Sequence, residues 1–332
     1  DSIIRMAKIT QIIVLLFCCL QFACVEAQLR LGAEQTQLYL PMLEAQKVAV
    51  VGNQTSMIGE THLVDSLLSL CVEVVKVFSP EHGFRGTADA GAKVLDGIDE
   101  RTGLPIISLY GKNKKPFPEQ LEDVDVILFD IQDVGARFYT YISTLHYVME
   151  AAAENEVSVI VLDRPNPNGH YVDGPILDTA FSSFVGMHPI PIVHGMTIGE
   201  YAQMINGEEW ISSPCDLLVV SMIFYQRQTP YSLPIKPSPN LPNELAVNLY
   251  PSLCLFEGTT VSVGRGTENP FQHFGAPYFK SEYNFIPVSR AGSIYPKHKN
   301  TVCYGVDLRK EISLTELNLD WLIDAYNQAP EK

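Results

Sequence analysis

Basic side chains are scarce in this sequence. Against 38 Asp and Glu it carries 23 Lys and Arg, a formal net charge of −15 over 332 residues. Phosphate backbones and anionic membrane surfaces are gripped by stripes of Lys and Arg, and no such stripe is present, so both are set aside as broad partners. Cysteine is used without pattern. Cys18, Cys19 and Cys24 crowd the first 27 residues, while Cys71, Cys215, Cys254 and Cys303 lie far apart, with neither a CxxC pair nor Cys/His ligand spacing. They read as small buried hydrophobes. Nucleotide loops are missing as well. After Gly52 the next glycine is Gly59, Gly264-Arg265-Gly266 lacks a third glycine, and no GxxxxGK[ST] occurs. A pyrophosphate needs such a turn, which argues against NAD, FAD and ATP, and no cofactor is expected. HExxH and two-metal patterns are also absent, so Glu81, His82, Asp130, Asp133 and His194 are not taken as a metal site.

With 46% hydrophobic and 18% charged residues, the chain has enough apolar matter for a sizeable core. The first 27 residues have the pattern of an address: Arg5 and Lys8 ahead of the apolar run Ile12–Leu20, then small residues at Val25 and Ala27 before Gln28. A membrane span needs about 20 apolar residues, and Gln11 and Gln21 interrupt this one. The expectation is a cleaved signal peptide over residues 1–27 and a mature protein without a membrane span, exported to the periplasm.

From Lys47 short apolar runs alternate with helical stretches. Val48–Val51, Val72–Phe78, Pro105–Leu109, Val124–Phe129, Val157–Leu162 and Leu217–Met222 are mostly β-branched and do not alternate with polar residues, as parallel strands covered on both faces do not. Helices are expected over His62–Leu70, Tyr139–Glu156 and Ile198–Asn206, the last opened by a Thr197-x-x-Glu200 capping box. This alternation predicts an α/β fold with a doubly wound, mostly parallel, Rossmann-like sheet. After about Tyr225 prolines 230, 234, 237, 239, 242 and 251 crowd a stretch unsuited to regular helix or central strand. The expected division is therefore a catalytic domain over residues 28–228 and a smaller α+β domain over 229–332. The second closes on an amphipathic helix from Leu314 to about Gln328, capped by Ser313-x-x-Glu316.

Ligands of such sheets bind beyond the carboxyl ends of the strands. Those positions hold Asn53, Glu81-His82 with Arg85, Asp130-Ile131-Gln132-Asp133 with Arg137, Tyr139 and Tyr141, Asp163-Arg164 with Asn166, and His194. Acids, arginines, amides and tyrosines on one rim suit a polyhydroxylated, partly anionic ligand. Gly195-Met196-Thr197-Ile198-Gly199 imitates a nucleophile elbow with Thr for Ser, but Thr197 is better explained as a helix cap. Glu81 stands out, pinned between a proline and His-Gly just past a strand. With Asp130 or Asp133 it offers the carboxylate pair that glycoside hydrolysis uses. A loop-fixing role through Arg85 is an equally plain explanation of Glu81 from position alone.

The rim loops closely resemble those of the exo-β-N-acetylmuramidase family NamZ, glycoside hydrolase family 171. The matching strings are VGNQTS at 51–56, FSPEHGFRG at 78–86, FDIQDVGARFYTYISTL at 129–145, DRPNPNG at 163–169, DGP at 173–175, HGMTIGEYA at 194–202, PSPNLP at 237–242 and EGTTVSVGRGTENPF at 257–271. The resemblance implies a Rossmann-like domain, a smaller C-terminal domain that is incomplete in this chain, and a cleft between them. It also implies release of N-acetylmuramic acid from the non-reducing end of peptidoglycan fragments, with the glutamate matching Glu81 as acid/base. His82, Asp130 and Asp133 are candidates for tuning Glu81 or activating water, and Asn240 and Glu268 join the rim residues as candidates for binding substrate. A selective site needs an arginine for the lactyl carboxylate, and Arg85, Arg137, Arg164 and Arg265 all qualify at this stage. Two other classes fit the same rim: an exported muropeptide-binding protein without catalysis, and a metal-dependent hydrolase.

Overall fold

The computed structural model describes residues 28–81, 83–85, 96–229 and 231–330; the expected signal peptide and His82 lie outside them. In chain order the first part contains helix α1 (Thr36–Tyr39), strand β1 (Val48–Gly52), a hairpin of β2 (Met57–Ile58) and β3 (Thr61–His62), α2 (Leu63–Ser69), β4 (Val74–Ser79), β5 (Gly97–Ile98), β6 (Pro105–Ser108), β7 (Val126–Asp130), α3 (Tyr141–Glu154), β8 (Ser158–Leu162), α4 (Ile198–Gly207) and β9 (Leu217–Val220). The second part adds α5 (Glu244–Leu253), β10 (His273–Ala276), β11 (Asn284–Phe285), β12 (Cys303–Asp307) and α6 (Asp320–Gln328).

Seven strands form one sheet in the order β5-β6-β4-β1-β7-β8-β9. All neighbours are parallel except the short edge strand β5, which runs antiparallel to β6. The order doubles back between β1 and β7, which makes their carboxyl ends the switch point of a doubly wound sheet. The continuous apolar runs follow from this burial. Val48 and Val50 of β1 face one layer with Leu63, Val64 and Leu67 of α2, while Ala49 and Val51 face the other with Leu145 and Met149 of α3 and Ala202 and Ile205 of α4. Every residue of β1 and β7 is buried.

The second part is built around a three-stranded antiparallel sheet, β10-β12-β11. Its core of Leu249, Leu253, Phe256, Phe271 and Phe274 reaches across to Val134 and Ala136 of the first part. Pro251 sits inside α5, where no helix is expected from the proline spacing. Its missing N–H leaves the carbonyl of Val247 unpaired within the helix, and Asn168 Nδ2 of the first part fills that place at 3.0 Å. The closing helix is also shorter than its amphipathic pattern predicts, spanning Asp320–Gln328 rather than starting at Leu314. Leu314 N donates to Asn248 Oδ1 at 2.6 Å and Leu317 N to Asp173 Oδ2 at 2.7 Å, so long-range partners hold this segment as a strap before the helix begins.

Candidate active site

Glu81 ends the turn that follows β4 and lines a pocket of about 200 Å³. From the first part Phe138, Tyr139, Thr140, Tyr141 and Val185 share it; from beyond β9 come Ser238, Asn240, Leu241, Tyr250, Glu257, Arg265 and Phe271. The proline-rich segment seals one side by its backbone. Tyr139 Oη donates to Pro237 O at 3.0 Å, Tyr141 Oη lies 3.3 Å from the same oxygen, and Gln54 Nε2 donates to Pro237 O at 3.2 Å. Expecting Tyr139 inside a helix would send these two tyrosines to different faces. The helix starts only at Tyr141, and the rings meet edge to face at 4.9 Å, both on the pocket wall. Tyr110, past β6, stands beside Glu81; burial, the Glu81 charge and a hydrogen bond to it push that phenol up to about 12. At neutral pH the phenol is a hydrogen-bond donor to Glu81.

The other proposed site residues are placed elsewhere. Asp130, at the end of β7, is fully buried and gripped bidentately by one edge of Arg164, Nε to Oδ1 and Nη2 to Oδ2, the latter at 2.9 Å. Asp163 caps α4, accepting from Gly199 N at 2.8 Å and Thr197 Oγ1 at 2.9 Å, and burial raises it to about 6. Thr197 itself accepts from Glu200 N while Glu200 Oε2 accepts from Thr197 N at 2.9 Å. That capping box occupies the hydroxyl and removes the nucleophile-elbow reading. Asn53 closes its own loop, with Oδ1 accepting from Thr55 and Nδ2 supporting Tyr141 Oη at 3.0 Å from behind the pocket. Asn166 lies against Gly135, where a Cβ would meet its amide at 2.1 Å, and bonds Met196 O and Asn168 N. Glu268 is exposed beside Arg290.

Of the four arginines, three are committed elsewhere. Arg85 is paired to Asp99 and Asp65, and Arg137 donates to the carbonyls of Pro175 and Ile190. Arg164, with Gln132, borders a larger cavity of about 660 Å³ at the switch point, but its charge is neutralised by fully buried Asp130, and Nη2 also donates to Met57 O. That cavity is the roomier one, yet no carboxylate of a plausible catalytic pair reaches it besides Glu34 and Glu60 at its edge, of which Glu34 caps Leu31 N. The Glu81 pocket, by contrast, is lined by Glu81, Glu257 and Arg265 together.

Asp133 and His194 form a buried pair behind that wall. Asp133 Oδ2 accepts from Gly135 N at 2.7 Å and lies 3.8 Å from His194 Nε2. Burial pushes the carboxyl up to about 7 and the imidazole down to about 3. Between its ordinary value of 3.8 and about 7 the folded chain keeps a proton on Asp133 that the unfolded chain has released. The stability arising here therefore falls as pH rises through that window. Asp133→Asn, neutral throughout, gains on the parent over the same range. Unfolding midpoints at about pH 4.5 and about pH 7.5 should diverge in its favour at the higher pH; a constant difference would place the charge on Asp133 at both.

Comparison with known proteins adds the family. The model of the NamZ exo-β-N-acetylmuramidase N-terminal domain matches residues 48–245, and that of its C-terminal domain matches residues 248–331. This chain belongs to the NamZ family. A relative described as peptidoglycan β-N-acetylmuramidase NamZ, from Bacillus subtilis strain 168, is 49% identical over 254 residues. The match takes in 71% of this chain and 61% of that relative's length. Two solved structures of DUF1343 family proteins from Bacteroides fragilis NCTC 9343 share the fold. One has 49% identity and a TM-score of 0.84, covering 91% of this chain and 84% of its own; the other has 34% identity and a TM-score of 0.76, covering 85% and 77%.

Both NamZ halves build the pocket: the first supplies Glu81, Tyr139, Tyr141 and Asn240, the second Tyr250, Glu257, Arg265 and Phe271. Tyr110 sits where the strand-end rule looks, just past β6, whereas Tyr250, Glu257 and Phe271 escape the rule because none of them sits at the carboxyl end of a strand of the main sheet. The string that carries the NamZ resemblance at 257–271 begins with Glu257 and ends with Phe271, and it is the one sequence signal that marks both. Among the described residues no helix is long and apolar enough to cross a membrane, and no three His, Cys, Asp or Glu gather so as to hold a metal ion.

Proposed function

We propose that this protein is an exo-acting glycoside hydrolase that releases N-acetylmuramic acid from the non-reducing end of peptidoglycan fragments, with Glu81 as the acid/base. The observation that carries this reading is the pairing of Glu81 with Glu257 and Arg265 in one small, aromatic-walled pocket. Glycosidic cleavage by carboxylates takes two acids flanking the bond, one to protonate the leaving oxygen and one to act on water or carbon. Glu257 is the second acid of the pocket, in the place Asp130 and Asp133 were expected to fill. Tyrosine rings offer flat apolar faces for a sugar, and a 200 Å³ chamber suits one terminal residue of a glycan. The reading calls for no nucleotide. The loop after β1, where a dinucleotide fold opens its glycine-rich turn, is closed by Asn53 N donating to Ser56 Oγ at 2.9 Å, with that hydroxyl donating to Asp130 O. Export to the periplasm, where wall fragments arise, is part of the same proposal.

The test is incubation of the protein with a β-N-acetylmuramyl disaccharide, followed by chromatography for free N-acetylmuramic acid. Release from the non-reducing end, unchanged by a metal chelator, is expected. Saturable binding without release would replace the hydrolase by a capture protein, and loss of release with chelator would make the chemistry metal-dependent.

A further inference from the structure

We infer that Arg265 is the residue that selects muramyl over glucosaminyl substrates, by holding the lactyl carboxylate, and that Glu257 orients it for that task. The inference rests on the muramidase reading above, since N-acetylmuramic acid differs from N-acetylglucosamine by that acidic ether alone.

Of the four arginines considered, Arg265 is the one that lines the Glu81 pocket. Its contacts leave half of the guanidinium for a ligand. Glu257 takes Nε at 2.8 Å and Nη2 at 2.7 Å through the single oxygen Oε1. Glu257 holds the Nε–Nη2 side, so Nη1 and the second hydrogen of Nη2 point to the end of the guanidinium, and a ligand carboxylate is the shape that meets that end with two parallel bonds. The plane is held from below as well, 5.1 Å from the centre of the Phe271 ring.

The fold spends strain and packing on this placement. Phe271 is buried with φ of 56°, a left-handed backbone that a bulky residue keeps only under constraint. Arg265 rides on a turn between Gly264 and Gly266, both with positive φ. A Cβ at Gly264 would meet His273 Nε2 at 2.3 Å, and one at Gly266 would meet Val288 O at 2.5 Å. Beneath the turn Thr267 Oγ1 donates to Gly264 O at 2.7 Å and lies 3.1 Å from His273 Nε2, whose Nδ1 is 2.8 Å from Tyr283 Oη. A side chain wanted only for a surface ion pair needs none of this, because exposed pairs contribute little however they are held. Two carboxylates, Glu81 and Glu257, also face the pocket, so an anionic sugar enters against like charge unless Arg265 meets it.

The inference is tested by calorimetric titration of N-acetylmuramic acid and its lactyl methyl ester, which differ in charge and hardly in shape. The parent should prefer the acid; Arg265→Gln should shrink that preference by about 10- to 100-fold, the usual range for a charged hydrogen-bonded contact. Arg265→Lys, which keeps the charge and loses the fork, should recover part of it. Paired kcat/KM values for a β-N-acetylmuramide and the matching glucosaminide should shift in ratio to the same extent, chiefly through KM. A merely structural Arg265 would depress both substrates together and leave the acid-to-ester preference as in the parent, which would overturn the assignment, as would a parent with no such preference. Preference for the acid lost in Arg265→Gln, in a protein that releases no sugar, would uphold the carboxylate site and overturn the hydrolase reading instead.

Discussion

Glu81→Gln should lower turnover of a β-N-acetylmuramide by about 10²- to 10⁴-fold, the usual worth of a positioned general acid or base. The amide keeps the size of the side chain and its place beside Tyr110, but it has no proton to give to the leaving oxygen. Glu81 is only partly buried where it lines the pocket, so the thermal midpoint should stay near that of the parent. The pair of measurements matters more than either alone. Lost turnover with an unchanged midpoint assigns Glu81 to the chemistry, whereas retained turnover would remove it from the mechanism and leave Glu257 as the acid of the pocket.

Removing one side of the Asp130–Arg164 pair should produce the largest loss of stability available from a single polar substitution here. Both groups are nearly inaccessible to water, and each is the other's partner. Asp130→Ala strands a guanidinium at the switch point of the sheet, at a cost of about 3–5 kcal/mol. The midpoint should drop on the order of 10 °C. Replacing both members together, as Asp130→Leu with Arg164→Met, should recover most of that loss, because the desolvation of two charges disappears with the pair. Were Asp130 a chemical participant instead, Asp130→Asn would lose turnover at temperatures well below its midpoint.

These two acids also show what a linear sequence conveys and what it withholds. Glu81 and Asp130 occupy equivalent positions, each just at or past the end of a β-branched run, and nothing local separates them. Through space they part: Asp130 meets Arg164, 34 residues further on, while Glu81 opens onto residues from the far half of the chain. The four arginines behave the same way, alike as monomers and distinguished only by which carboxylate or carbonyl folds up against them. The strap at 314–319 makes the point for secondary structure. Its apolar spacing and Ser313-x-x-Glu316 are sound helix signals, yet the segment is not helical, and Leu314 N and Leu317 N instead tie it to Asn248 and Asp173, far away in the chain.

What the sequence determined by itself is the part that depends on near neighbours: parallel strands from unbroken β-branched runs, α4 from its capping box, and the α/β layering from their alternation. Even Thr197 is settled this way, since its partner Glu200 is three residues away. The tertiary structure alone decided which charges are neutralised and which face a ligand. Charge pairing depends on distances that the chain closes only when both halves pack, and the pocket of Glu81, Glu257 and Arg265 comes into being at that closure.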